Sequence, residues 1–288
     1  MPAQDPVGLA PTGTLPGGHP YVRAGKGPRR LVVFPGVDDA MWEGRYPVTA
    51  GAVVGCYYSA YLAAHAVLVV SRPRGLPDDY DVQAAAAAYA RALEPLAPVD
   101  VVGISMGGLI GLRLAAEHPE IVDRLVIANS AHAIGDSARP EVRRLHRLAA
   151  ERDWTAIRAA LARAFFADGR RYWYPPVIKS IGRAALPRPA EPADVEISFA
   201  IILEDAGRQH LSAVEQPTLV IGGSADPYFT RERMEETATE LTDGRLSVIP
   251  GARHGAYHER KGTFDRRVTA FLDEPRTTGS PGTAVSQR

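Results

Sequence analysis

The segment Val101-Val102-Gly103-Ile104-Ser105-Met106-Gly107-Gly108 sets a Gly-x-Ser-x-Gly pattern between an apolar, β-branched run and a helix-forming stretch, Leu109 to His118. Residues of these types at this spacing can make a nucleophile. A sharp strand-to-helix turn strains the backbone of its apical residue and needs small neighbours, which Gly103 and Gly107 supply. Such a turn lifts the Ser105 hydroxyl out of the sheet. It also sets it at a helix N-terminus, whose N–H groups favour a developing anion. A glycine-rich turn with an incidental serine shares the short pattern, so the reading needs its flanking strand and helix, a base and an orienting acid.

The acid and base are sought in the chain order serine, acid, histidine. The run Pro217-Thr218-Leu219-Val220-Ile221-Gly222-Gly223-Ser224-Ala225-Asp226-Pro227 reads as a buried strand with an acid just past its end. Pro227 biases Asp226 away from helix, which suits a fixed carboxylate. A turn aspartate capping the helix that starts near Thr230 is the bland alternative. Next, Leu246-Ser247-Val248-Ile249-Pro250-Gly251-Ala252-Arg253-His254 gives a strand, a turn and a histidine. Of the eight histidines, His254 has the position of a general base, and His258 is its rival. His65 reads as the end of a helix. The strand after the serine's helix leads into Asn129-Ser130-Ala131-His132, with no carboxylate before Asp136, which favours Asp226.

Strands that must hold these groups are read at Arg30–Phe34, Val67–Ser71, Val99–Gly103, Leu125–Ile127, Thr218–Ile221 and Leu246–Ile249. Helical stretches alternate with them, among them the Ala84–Ala88 run, and this predicts an α/β fold with a mostly parallel central sheet flanked by helices. Residues 1–20 are rich in Pro and Gly and read as a mobile N-terminal arm, and residues 274–288 as a disordered polar tail. The core is assigned to 21–130 and 211–273. Between them, over 131–210, the alternation stops and the sequence reads as a helical cap. This stretch holds Trp154, Phe165, Phe166, Tyr172, Trp173, Tyr174 and Phe199. Most of these read as its own small core. Tyr172 and Trp173, before the pair Pro175-Pro176, are candidate pocket residues, as is Trp42. The cap is also arginine-rich from Arg139 to Arg188, which reads as solvated helix faces or as a basic rim for an anionic substrate or acyl carrier.

Together these features resemble the α/β-hydrolase superfamily from about Tyr21 to Asp273. The resemblance implies a nucleophile at Ser105, an acid at Asp226 and a base at His254. It also implies an oxyanion hole from the backbone N–H of Val37 and Met106, with Asp38 the alternative to Val37. The loop Leu31-Val32-Val33-Phe34-Pro35-Gly36-Val37 departs from the family's pattern, because Pro35 stands where histidine is common. The usual side-chain brace of that loop is therefore expected to be absent. Pro-Gly-Val-Asp-Asp also resembles loops of some acyl-transferring and thioesterase-like members. A serine at the turn argues against the halide- and epoxide-opening members, which use aspartate.

Composition narrows the classes. The chain has 288 residues, 45% hydrophobic, enough for one substantial core with an insertion. Its formal net charge of +0 gives no electrostatic case for nucleic acid. The single cysteine, Cys56, excludes an intrachain disulfide and reads as a core filler in an apolar helix. No signal peptide or membrane-length apolar run is visible, so a cytoplasmic enzyme with no membrane association is expected. No zinc-ligand spacing, phosphate-binding loop or dinucleotide fingerprint occurs, so neither metal nor organic cofactor is expected. The expected activity is hydrolysis of a carboxylic ester-type bond of a small-molecule acyl substrate through an acyl-enzyme. Thioesterase or acyltransferase action on a carrier- or CoA-bound acyl group is the alternative. A non-catalytic binding protein on the same scaffold is the rival of another class.

Overall fold

Strand β3 (Arg29–Phe34) shows how the chain builds two cores from one ladder. Its side chains alternate in direction, so Leu31 and Val33 join one apolar cluster while Val32 and Phe34 join the other. Strand β6 (Val122–Ala128) divides the same way: Val126 and Ala128 go to one side, Leu125 and Ile127 to the other. A sheet with two apolar faces must be covered on both.

The computed structural model describes residues 9–204 and 207–275. Besides β3 and β6 it contains β1 (Thr12–Leu15), β2 (His19–Ala24), β4 (His65–Val70), β5 (Val99–Ile104), β7 (Thr218–Gly223) and β8 (Gly244–Ile249). One eight-stranded sheet results, in the order β1-β2-β4-β3-β5-β6-β7-β8. β1 and β2 are antiparallel to their neighbours, and the pairs from β4 to β8 are parallel. The helices are α1 (Ala50–Tyr57), α2 (Val82–Leu93), α3 (Met106–Glu117), α8 (Arg231–Glu240), α9 (Ala256–Glu259) and α10 (Lys261–Leu272). Four more lie between β6 and β7: α4 (Arg139–Ala150), α5 (Trp154–Phe165), α6 (Arg170–Ala185) and α7 (Pro192–Leu203). α2 and α3 bury Ala85, Tyr89 and Ile110 on one face of the sheet, and α10 buries Phe264, Val268 and Phe271 on the other. Among the described residues no helix is long and apolar enough to cross a membrane.

Three sequence expectations need correction. The arm expected over 1–20 is ordered from Thr12, where β1 pairs with β2 through Leu15↔His19. Backbone pairing holds it with only Leu15 buried in β1, and Gly17 and Gly18, both at positive φ, make the turn. The first eight residues of that arm, and the expected tail from 276 onward, lie outside the described residues. His65 does not end a helix; it begins β4, fully buried, with Nε2 3.1 Å from Asp100 Oδ2. Cys56 is exposed, because α1 buries none of its residues.

Candidate active site

β5 delivers Ser105 into a turn so tight that its backbone takes φ 54° and ψ −119°. A non-glycine residue at positive φ is strained and persists where its surroundings over-determine it. The surroundings here are glycines. A Cβ on Gly103 would stand 2.3 Å from the Gly107 carbonyl oxygen, and one on Gly107 would stand 2.3 Å from that of Phe34. No side chain fits at either place, so the close approach of α3 to β3 and β5 fixes the serine at its apex.

β7 and β8 bring the partners. Ser105 Oγ lies 3.0 Å from His254 Nε2, and His254 Nδ1 lies 2.8 Å from Asp226 Oδ2. A carboxylate oxygen accepts, so Nδ1 carries the proton and Nε2 is left to accept from the serine hydroxyl. Asp226 is held in turn: its Oδ1 accepts from the backbone N–H of Tyr228 at 2.9 Å and of Phe229 at 3.1 Å. The Tyr228 ring meets His254 edge-on at 5.1 Å, and the Phe229 ring stacks on it at 6.0 Å. Ser105, Asp226 and His254 are thus brought together in one hydrogen-bonded row. His258 lies within α9, stacked on Tyr57, away from this row.

Asn129 is a contributor that the sequence did not single out. It follows the last residue of β6 at φ 47°, and its Nδ2 donates to Asp226 Oδ2 at 3.3 Å and to the Arg253 carbonyl at 3.1 Å. One amide therefore ties the acid to the loop that carries the histidine.

Val37 is the first residue of a 3₁₀ turn, Val37–Met41, and Met106 is the first residue of α3. N–H groups in the first turn of a helix have no partner within it, so both are available as donors. Pro35 replaces the usual histidine brace of this loop, and another side chain braces it instead. Arg72, buried just beyond β4, donates through Nη1 to the Gly36 carbonyl at 3.3 Å and through Nη2 to Ser198 Oγ at 3.3 Å. Its backbone N–H donates to Asp39 Oδ2 at 3.2 Å. Asp39 also accepts from Arg74 at 3.2 Å and from Trp42 Nε1 at 3.1 Å. Burial alone would raise the Asp39 carboxyl, but the Arg72 and Arg74 guanidiniums outweigh it and hold the group below its ordinary value.

A cavity of about 320 Å³ opens at Ser105, lined by Gly36, Val37, Asp38, Met41, Ile104, Arg158, Leu161, Ala162, Phe165, Phe166, His254 and Tyr257. The candidates Trp42, Tyr172 and Trp173 are corrected: none lines it. Trp42 packs on Tyr46 and bonds Asp39. Tyr172 and Trp173 are 69% and 53% exposed, because α6 packs on α5 through the other side, with Tyr174 against Phe166 at 5.0 Å. The wall comes from α5 instead, where Arg158, Leu161, Ala162 and Phe165 recur at helical spacing. That period is visible in the sequence; what the face covers is not. Among the described residues no group of three or more His, Cys, Asp or Glu could hold a metal ion.

A family model described as the alpha/beta hydrolase fold matches residues 70–261, more than half of the chain. Part of the polyketide synthase ThaQ of Burkholderia thailandensis is 29% identical over 292 residues, covering 94% of this chain and 13% of that protein. A pimeloyl-[acyl-carrier protein] methyl ester esterase of Neisseria meningitidis is 28% identical over 205 residues, covering 68% of this chain and 64% of its own. The chain thus spans less than two thirds of the length of either relative. Among solved structures, the enol-lactonase from Burkholderia xenovorans superimposes with a TM-score of 0.72 at 21% identity, over 92% of this chain and 100% of its own. That likeness concerns the fold.

Proposed function

The chain belongs to the alpha/beta hydrolase fold family, and from that premise we propose that it is a serine hydrolase cleaving a carboxylic ester-type bond of a small acyl substrate. The observation that carries this reading is the row Ser105–His254–Asp226, with contacts of 3.0 and 2.8 Å. Ser105 Oγ attacks the acyl carbonyl carbon as His254 Nε2 takes its proton. Asp226 keeps the imidazole oriented and stabilises the imidazolium. The oxyanion meets the N–H groups of Val37 and Met106, and loss of one such donor typically costs about 2.7–4 kcal/mol. His254 returns the proton to the leaving oxygen, the carbon–oxygen bond breaks, and the acyl group stays on Ser105. Water then attacks that ester, giving its proton to His254. Collapse releases the carboxylic acid and restores the serine. In this reading the helices within 131–210 act as a cap, with α5 forming the acyl wall.

Labelling with a fluorophosphonate tests the reading. The wild-type protein is expected to label at one equivalent, and Ser105→Ala not at all, with its fold retained. Full labelling of the variant would sink the assignment.

A second reading, thioester cleavage or acyl transfer on a carrier-bound acyl group, is favoured by two similarities. The similarity to ThaQ, a polyketide synthase by name, runs over 94% of this chain, and the Neisseria relative is named for a carrier-bound ester. Turnover of acyl thioesters against oxygen esters of equal chain length, with and without a competing alcohol acceptor, separates the two.

A further inference from the structure

The proposed chemistry gives no work to Asp38, the carboxyl of the Ser105 cavity. It follows Val37 in the 3₁₀ turn and lines the cavity. A point 3.2 Å from its Oδ1 is also 3.3 Å from Ser105 Cβ: the place where a Cβ on Gly36 would stand. The carboxyl therefore sits beside the reacting centre.

Its surroundings offer it little. Among the described residues it makes no ion pair or hydrogen bond with another residue's side chain. The nearby cation, Arg72, is spent on Asp39, Gly36 and Ser198. Arg158, the cavity's other charged group, donates through Nη2 to the Met41 carbonyl at 2.7 Å. Met41, Ile104, Leu161, Phe165 and Phe166 make the apolar part of the wall, and Tyr257 adds a phenol. Asp38 is exposed, unlike the buried Asp39 beside it, so its carboxylate is open to whatever enters the cavity.

We propose that Asp38 sets acyl selectivity: it accepts a hydrogen bond from a hydroxyl or ammonium carried on the acyl chain near the scissile carbonyl, and it repels a chain ending in carboxylate. This rests on the hydrolase reading above and names the substrate class within it. A hydrogen bond to a charged acceptor is worth about tenfold or more in binding. Two negative charges several ångströms apart in a partly enclosed site cost on the order of tenfold to a hundredfold.

The test compares kcat/KM for four p-nitrophenyl esters of similar length: butanoyl, 3-hydroxybutanoyl, 3-aminopropanoyl and hemisuccinyl. In the wild type the two donor-bearing esters are expected to exceed butanoyl, and hemisuccinyl to fall below it, each by about tenfold. The two donor esters tell hydroxyl from ammonium. In Asp38→Asn, which keeps an acceptor but not the charge, the hemisuccinyl-to-butanoyl ratio should rise about tenfold. In Asp38→Leu the donor preference should vanish as well. Should Asp38→Leu fail to fold, Asp38→Ser removes the charge with less bulk. Ratios that stay within twofold across the variants, or a lowered Tm with unmoved ratios, overturn the proposal and leave Asp38 as the start of a helical turn. No turnover and no labelling of Ser105 in the wild type would overturn the hydrolase reading, and this inference with it.

Discussion

Arg72 Nη1 donates to the carbonyl of Gly36 at 3.3 Å, from a guanidinium that is 1% exposed. Gly36 precedes Val37, so this contact orients the peptide whose N–H faces the proposed oxyanion. The arginine can be spared for this because Asp39, itself buried, balances its charge. Arg72→Lys keeps the charge but loses the planar fork that reaches Gly36 and Ser198 together. It is expected to lower kcat about tenfold with KM little changed, since the oxyanion exists only in the transition state. Steady-state kinetics on a butanoyl ester check this. A rise in KM at constant kcat would mean that Arg72 shapes the ground-state site only.

Asp226→Asn removes the acceptor that fixes the His254 tautomer and is expected to cost on the order of 10⁴ in kcat. Asn129 Nδ2 lies 3.3 Å from the carboxylate, so an acid there is near the imidazole as well. Asp226→Asn combined with Asn129→Asp should recover at least tenfold of the loss. A double variant no faster than Asp226→Asn alone would show that the end of β6 cannot orient the base.

Five of the six strands were legible because parallel strands buried on both faces read as unbroken apolar runs, and the edge strand β8 only from its apolar end, Val248-Ile249. The serine, the acid and the histidine were legible for a similar reason: each follows such a run within a few residues. What escaped is what the chain assembles over distance. Arg72 meets Gly36 across 36 positions and Ser198 across 126, and no local pattern marks an arginine as a brace. The β1–β2 hairpin escaped because its pairing is backbone to backbone, behind a composition of Pro and Gly. Tyr172 and Trp173 misled because bulk suggests burial, whereas helix packing decides which face is covered.

His19 makes the fold sensitive to acid. It is fully buried in β2, its Nδ1–H donates to the Ser71 carbonyl at 3.0 Å, and its ring centre lies 4.7 Å from that of Tyr89. Burial lowers its pKa from 6.5 to about 4. The unfolded chain therefore binds this proton first. The stability tied to neutral His19 is fully present above pH 6.5 and is lost as pH falls towards 4, by roughly 3 kcal/mol at most. Urea melts of the wild type and His19→Gln at pH 7 and pH 4.5 check this. The gap between them is expected to narrow on acidification; a gap that widens would rule the histidine out as the source.

The aromatic wall of the cavity separates packing from selectivity. Phe165 lines the cavity at the end of α5, edge-on to Phe166 at 5.0 Å and to Tyr257 at 5.5 Å. The same turn is tied to the histidine's loop, since Gly255 N–H donates to the Phe165 carbonyl at 2.9 Å. Phe165→Leu keeps that backbone bond and removes ring surface from the acyl side, at about 25 cal/mol per Å² of lost burial. A contact made equally in ground and transition states changes KM, not kcat. Phe165→Leu is therefore expected to raise KM severalfold for an octanoyl ester and little for an acetyl ester. Trp173→Ala, which opens no cavity because the ring is 53% exposed, should leave both KM values and the Tm near those of the wild type. Parallel kinetics and thermal melts of the two variants decide it. An equal rise in KM for both esters in Phe165→Leu would place the acyl chain against another wall, and a chain-length effect in Trp173→Ala would bring α6 back to the substrate.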